Sequence, residues 1–418
     1  MKTLLSFLKG ISIICLSIFL SFFNCSSDVD VQIAEIQPPL TDVLTLELTI
    51  GGPEDEHSEE FLLAEPEIME VTYSGDILVI DENRIKVFDS KGNEKMIVGR
   101  RGDGPGEFGK WFVPYIGPSG YLFAANVSSI GIANWDYYGS SSFIDFYNLF
   151  TPDYMFIKKN RIEDNPRIDA YLQEHNLERK NMSRMTKFIP LDRDKLLFEA
   201  VFEETGSDQE AQYYWRVLYD NGRTITHILE KKILLMYGST AYPEGELHWE
   251  ALPGKRLFYQ NADEDVFDVE KGSYYTIHVL SLDNGKDISA TREFTPVEFP
   301  ERMTTAPPRK GNPFDQFNID KARVYKEKKY YAAVKIVKVE GRYAFLFPNM
   351  LSESVQRDPL RVPAEVFDLE NCQYVTTIEF PFYPYVIRNG YAYQLKMTTQ
   401  TEFAEIRKYK INPAVYGK

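Results

Sequence analysis

Histidines, carboxylates and aromatic rings are the side chains here that could do chemistry. The five histidines, His57, His175, His227, His248 and His278, are scattered, and no two have the helical spacing of a zinc-binding pair. No Gly-x-Ser-x-Gly segment occurs, so a hydrolase nucleophile elbow has no support. Glu54-Asp55-Glu56-His57-Ser58-Glu59-Glu60 reads as a solvated charged loop. Asp263-Glu264-Asp265 with Asp268 offers several carboxylates, and calcium takes about six to eight oxygens. No glycine stands where a calcium-binding hand needs one, so a plain surface loop is expected. Trp111, Trp135, Tyr137 and Tyr138 are candidate ligand contacts. Their rings stack on sugars if exposed and pack between sheets if not. No catalytic residue, metal ligand or cofactor is assigned.

Cysteine is a different case. There are three, Cys15, Cys25 and Cys372. Lys2 and Lys9 precede an apolar run from Ile11 to Phe23, too short to span a bilayer comfortably but suited to a secretory leader. The run ends at Phe22-Phe23-Asn24-Cys25, which resembles a bacterial lipobox with Phe22 and Asn24 in place of the usual Leu and small residue. The resemblance implies a signal peptide over 1–24, acyl chains on Cys25 and a lipidated tether over 25–42. Ser26 rather than Asp after the cysteine implies outer-membrane sorting, and Asp28 and Asp30 weakly resemble the surface-export signal of Bacteroidota lipoproteins. The expected place is therefore the outer membrane, lipid-anchored, on its periplasmic or cell-surface face. An uncleaved anchor helix is the alternative. Once Cys25 is acylated, Cys372 has no partner, so the core must stand without a disulfide and Cys372 is expected to be a small packed side chain.

Net charge is -15, or about -17 without the two leader lysines. Phosphate backbones would be repelled, which excludes nucleic acid as partner. The 27 Tyr and 28 Phe favour strands, whose pleated faces accommodate rings.

The elements that must carry these residues are clearest from Glu70 to Phe108. Ile77–Ile80 and Arg84–Phe88 read as strands around the Asp81-Glu82-Asn83 turn, and Asp89-Ser90-Lys91-Gly92 turns into a third strand, 95–98. The stretch resembles an NHL-type propeller repeat in Asp81, Asn83, Arg84, Ile85, Val87, Phe88, Asp89 and Gly92. The glycine-rich tail Gly99, Gly102, Gly104, Pro105, Gly106, Glu107 and Phe108 matches that repeat's link to the next blade. Arg101-Gly102-Asp103, inside this link, carries no adhesive meaning.

Similar turns recur at Asp89, Asp153, Asp220-Asn221-Gly222, Asp283-Asn284-Gly285, Asp368 to Asn371 and Asn412, roughly every 65 residues, a propeller-like period with insertions. The remaining strand pairs expected are Tyr121–Ala125 with Phe143–Phe150, Lys195–Phe202 with Tyr214–Asp220, and Arg256–Gln260 with Tyr274–Leu282. Tyr343–Phe347 with Ala364–Leu369 and Tyr391–Met397 with Ala404–Ile411 complete the set. This predicts an all-β, six-bladed β-propeller over 43–418, with the alternating strand Leu44–Ile50 joining the last blade to close the ring. Glu163–Met185 predicts a short helical insertion on the rim, capped by Asn165. The proline-rich Pro300–Ala322 predicts a long exposed loop.

The pattern resembles the six-bladed propeller lipoproteins of Bacteroidota. That implies a binding or scaffold module, held at the membrane by Cys25 and facing a protein or glycan partner. The alternatives are a metal-dependent hydrolase or lactonase using channel carboxylates, and a glycan-binding protein.

Overall fold

The computed structural model describes residues 31–32, 38–53, 55–127, 144–161, 164–205, 211–237, 240–243, 245–268, 270–305, 315–350, 361–397 and 404–418. Cys25, Trp135, Tyr137 and Tyr138 lie outside them, as does Phe143 at the edge of one expected strand.

Six four-stranded antiparallel sheets account for most strands. Blade I is Ile68–Val71, Ile77–Asp81, Arg84–Phe88 and Glu94–Val98; blade II is Phe112–Ile116, Leu122–Val127, Ile144–Phe150 and Phe156–Arg161. Blade III is Met182–Pro190, Leu196–Thr205, Ala211–Asp220 and Ile225–Ile233; blade IV is Leu247–Leu252, Arg256–Asn261, Ser273–Ser281 and Asp287–Phe294. Blade V is Val334–Glu340, Tyr343–Pro348, Val362–Asp368 and Gln373–Phe380. Blade VI takes Val386–Arg388, Tyr391–Lys396 and Glu405–Ile411, and its outermost strand is Leu44–Gly51 from the other end of the chain. All six expected pairs form the middle strands of these blades.

The core shows why the sheets arrange radially. Each junction between blades is a separate apolar cluster. Leu78, Ile80 and Val87 of blade I meet Phe112, Leu122 and Phe150 of blade II. Phe123 and Leu149 then meet Phe188, Phe198 and Phe202. Leu197 and Val217 meet Trp249 and Leu257, and Phe258 and Ile277 meet Val334, Ala344 and Phe367. Phe345, Val366 and Ile378 meet Ile387, Ala392 and Ile411. The circle closes where Ile50, Tyr393 and Ile406 of blade VI pack on Met69, Val79 and Phe88 of blade I. A sheet with both faces apolar must bury both, and a ring of such sheets does so without an end.

The N-terminal strand completes the last blade. Leu44 pairs with Ile411 and Gly51 with Glu405, which removes the edge that blade VI would otherwise present. Part of the 25–42 segment also follows the ring. Val31 and Gln32 run parallel to the outer strand of blade IV, opposite Thr291 and Arg292. Leu40 bridges the outer strand of blade V, its N–H donating to the Thr377 carbonyl at 2.9 Å and its own carbonyl accepting from Glu379 at 2.9 Å.

The glycine-rich link joins blades I and II as expected. Gly99 has φ +69°, and a Cβ there would sit 2.2 Å from the Phe108 ring, so only glycine lets the chain turn this tightly over that ring. The insertion helix is Pro166–Glu174, with the Asn165 side chain accepting from the Arg167 N–H. It buries Ile168, Tyr171 and Leu172 against the blade II–III cluster, and Arg167 forks onto buried Asp220 at 2.8–3.0 Å. The Pro300–Ala322 segment departs from the expected loop. Its described parts include helix Glu301–Thr304 and the start of helix Asp315–Lys328, which buries Ala322, Val324 and Tyr325. Phe299 packs on Tyr325 and Tyr331 at 4.6 and 4.1 Å.

Candidate functional site

The carboxylates of Asp263, Glu264, Asp265 and Asp268, read as a plain surface loop, do not assemble as a ligand set. Asp263 pairs with Lys231, Glu264 with His278 at 2.7 Å, and Asp268 accepts from Glu270 and Lys271 N–H within its own turn. Asp265 turns inward, accepting from Gln260 Nε2 at 3.0 Å and Ala333 N–H at 2.8 Å. Among the described residues, no three His, Cys, Asp or Glu side chains gather as a metal ion requires. The described part of the acidic loop, Asp55–Glu60, is tied to blade I rather than simply solvated: His57 contacts Asp55 and the Gly92 carbonyl, and Ser58 N–H donates to Glu94. Cys372 is buried and free, its thiol pushed up to about 12 by burial.

Asp265 yields a pH prediction. Burial, reinforced by Glu246, pushes its carboxyl up to about 7, against about 3.9 in an unfolded chain. The native state therefore holds the proton more tightly, and the stability this gives is lost as pH rises from about 4 to about 7. Asp265→Asn keeps an acceptor for the Ala333 N–H without the charge. The full shift corresponds to about 4 kcal/mol; with the carboxyl only partly buried and screened by solvent, a gain of about 2 kcal/mol over wild type is expected at pH 8, fading toward pH 4, and urea denaturation across that range measures it.

Polar side chains concentrate instead on the innermost strands. On or beside those strands they tie blades II to VI in sequence, and blade VI back to blade I. Tyr115 of blade II donates to the Thr186 carbonyl at 3.0 Å, and Lys187 of blade III donates to the Trp249 carbonyl at 2.6 Å. His248 of blade IV reaches the Val334 carbonyl at 3.4 Å, and Lys338 of blade V donates to the Tyr385 carbonyl at 2.8 Å. Asn389 of blade VI donates to the Tyr73 carbonyl of blade I at 3.2 Å. Side-chain donors on main-chain acceptors thus clamp the ring from inside, in a chain with no described disulfide.

These residues sit on or beside the strands nearest the ring axis. Glu70, Tyr115, Lys187, Glu250 and Arg388 lie within three residues of the last pair between first and second strands of their blades, so they share one half of the channel. Burial raises the Tyr73 phenol, and the field of Glu250, from the opposite side of the ring, raises it further. Burial likewise raises Tyr115, helped by Glu199, Glu70 and Glu250. Burial works against the Arg388 charge, but Tyr73, Glu70 and Glu250 more than offset it, so its guanidinium is held above its ordinary value. His248 is pushed down to about 4, chiefly by burial, and is neutral at pH 7. Yet Tyr73, Tyr115, His248, Glu250 and Arg388 all keep contact with solvent, and the Glu250 side chain is 36% exposed. Groups largely enclosed by protein and still partly exposed are what the lining of a central channel looks like.

Its chemistry is specific. Lys187 pairs with Glu250 at 2.7 Å and lies 4.4 Å from the centre of the Trp249 ring. Trp249 Nε1 donates to Glu199 at 2.7 Å, and Thr186 also bonds Glu199. Arg388 sits 4.3 Å over the Tyr73 ring, a cation–π contact strengthened by low solvation. Its Nε and Nη1 are buried without a hydrogen-bond partner. Sequence reading did not single out these channel residues. Of the candidate aromatic contacts, Trp111 alone is described. It is half-buried just before the inner strand of blade II, with Lys110 5.1 Å from its ring centre.

No protein-family model matches the chain, and no curated protein matches it. Solved structures give distant likenesses. A Bacteroides fragilis protein named for inferred export is 12% identical over 90% of this chain and 97% of its own, with a TM-score of 0.48. The Pan2 WD40 domain of Neurospora crassa is 8% identical over 90% and 98%, with a TM-score of 0.34. A Bacteroides caccae protein of unknown function is 10% identical over 75% and 81%, with a TM-score of 0.29. Likenesses of this size carry no functional argument; the six-bladed propeller rests on the strand order and junction clusters above.

Proposed function

We propose that this chain is a lipid-anchored binding module of the bacterial outer membrane, whose propeller receives a small polar ligand in its central channel. The observation that carries the binding reading is the enclosed, solvent-touched set of polar and aromatic side chains on the innermost strands, with Arg388 donors left unmade. A rigid ring holds such groups in place before the ligand arrives, which lowers the ordering cost of binding. The two channel carboxylates named above do not favour the hydrolase alternative, because Glu250 is already paired with Lys187.

The leader and Cys25 support the anchor. Acyl chains would contribute roughly 0.8 kcal/mol per buried methylene. With Val31 pinned to blade IV, the free leash from Cys25 shortens to at most about 20 Å, which would hold the rim at blade IV near the bilayer. The NHL-like character of blade I belongs to the same reading. Among the described residues, no helix is long and apolar enough to cross a membrane.

Expression of the full chain in a bacterium with two membranes, fed an alkyne analogue of palmitate, tests the anchor. Wild type is expected to take the label and fractionate with the outer membrane, and Cys25→Ala to take none. Equal labelling of the two would contradict the reading.

A further inference from the structure

We infer that the half of the channel around Arg388 binds a small hydroxylated carboxylate of sugar-acid type, with Arg388 holding its carboxylate. This deepens the binding reading above and rests on it.

Arg388 ends the innermost strand of blade VI, and its Nε and Nη1 are buried with no partner. A guanidinium cannot lose its charge at any working pH, and it has donors only. An acceptor with negative charge is its natural complement, because charge-assisted bonds are the strong ones.

The neighbouring groups ask for the opposite. Glu250 spends Oε1 on Lys187 and is 36% exposed to the lumen. The Tyr115 hydroxyl donates its one proton to the Thr186 carbonyl, so it faces a ligand as an acceptor only. A ligand that satisfies both sides carries a carboxylate at one end and hydroxyl donors at the other.

Charge selects among anions. The fields acting on Arg388 come from the Glu70 and Glu250 carboxylates as well as Tyr73, and Lys187 is matched by Glu250. The lumen is close to neutral. It accepts one negative charge at Arg388, whereas a doubly charged phosphate meets two nearby carboxylates. Tyr73 and Trp249 are already covered by the Arg388 and Lys187 cations, so polar contacts rather than ring stacking set the preference.

Isothermal titration of the detergent-purified full chain tests this with D-gluconate and D-glucuronate, neutral D-glucose and sorbitol, and inorganic phosphate. At least one sugar acid is expected to bind, at least tenfold tighter than its neutral match, with phosphate weaker still. Arg388→Gln is expected to bring the acid down to the neutral level and leave the neutral sugar unchanged. Tyr115→Phe, which keeps the guanidinium, is expected to weaken acid and neutral sugar alike by several-fold; it serves if Arg388→Gln fails to fold. Acid binding that survives Arg388→Gln overturns the inference. So does equal binding of acid and neutral sugar, sensitive to Tyr115→Phe, although channel binding itself then stands. No binding of any sugar or acid to the folded wild-type chain overturns both readings.

Discussion

Removal of the segment through Gly51 is expected to abolish cooperative folding of the monomer and to drive association through blade VI. Among the described residues, Leu44–Gly51 alone pairs with the outer edge of Glu405–Ile411, from Leu44↔Ile411 to Gly51↔Glu405. Without it a seven-residue edge is open to other chains. The loss reaches beyond one sheet. Ile50 is 1% exposed and sits in the cluster where blade VI meets blade I, so the ring opens at its seam. The milder Ile50→Ala keeps the strand and removes part of that contact, at a cost of about 2–5 kcal/mol. Light scattering behind size exclusion and a thermal melt by circular dichroism measure both variants. A truncated chain that stays monomeric with an unchanged melting temperature would contradict the closure.

The second large effect is expected at Lys86. Its side chain is fully buried and donates to the Leu62 carbonyl at 2.5 Å, to Asp81 at 2.7 Å and to Glu82 at 3.3 Å. Asp81, also fully buried, accepts in addition from the Ala64 and Glu65 N–H groups at 2.9 and 2.8 Å. The pair thus fixes the segment after the closing strand onto blade I. Lys86→Met is well matched in shape but leaves Asp81 as an uncompensated buried charge, which costs about 3–5 kcal/mol. Adding Asp81→Asn to Lys86→Met is expected to recover more than about 1 kcal/mol, because the amide still offers an acceptor and no longer needs a counter-charge. Urea unfolding of the single and double variants gives both numbers. A loss below about 1 kcal/mol for the single variant would mean that the pair is solvated in solution.

These two expectations draw on features of unequal visibility in the sequence. The middle strands were legible because turn residues bracket them: Asp220 makes an Asx turn with the Gly222 N–H, and Glu82, Asn83 and Gly222 take the positive φ of tight hairpin turns. The closing strand was legible from the alternation in Leu44–Ile50 and from its place at the far end of the chain. The innermost strands were not. Val386–Arg388 has three residues, too few for a period, and Leu247–Leu252 places His248 and Glu250 among apolar neighbours in a way that suits a half-exposed strand anywhere. Channel residues are polar for reasons set by other blades, such as Lys187 reaching Trp249 and Glu250, and no local window contains both partners. The helix Asp315–Lys328 was missed for a related reason. Its buried Ala322, Val324 and Tyr325 lie late in a charged sequence that follows four prolines, so composition pointed to a loop while packing on Phe299 decided for helix.

Hydrogen–deuterium exchange of the detergent-purified full chain, with and without saturating D-glucuronate, locates the ligand most directly. Slowed exchange is predicted in the turns that border the channel beside Arg388, at Thr72–Asp76 and Asn389–Gly390, with the outer strands of all blades unchanged. Protection confined to the rim around Trp111, or to an outer edge such as Asp287–Phe294, would place binding elsewhere and contradict the channel as the functional site.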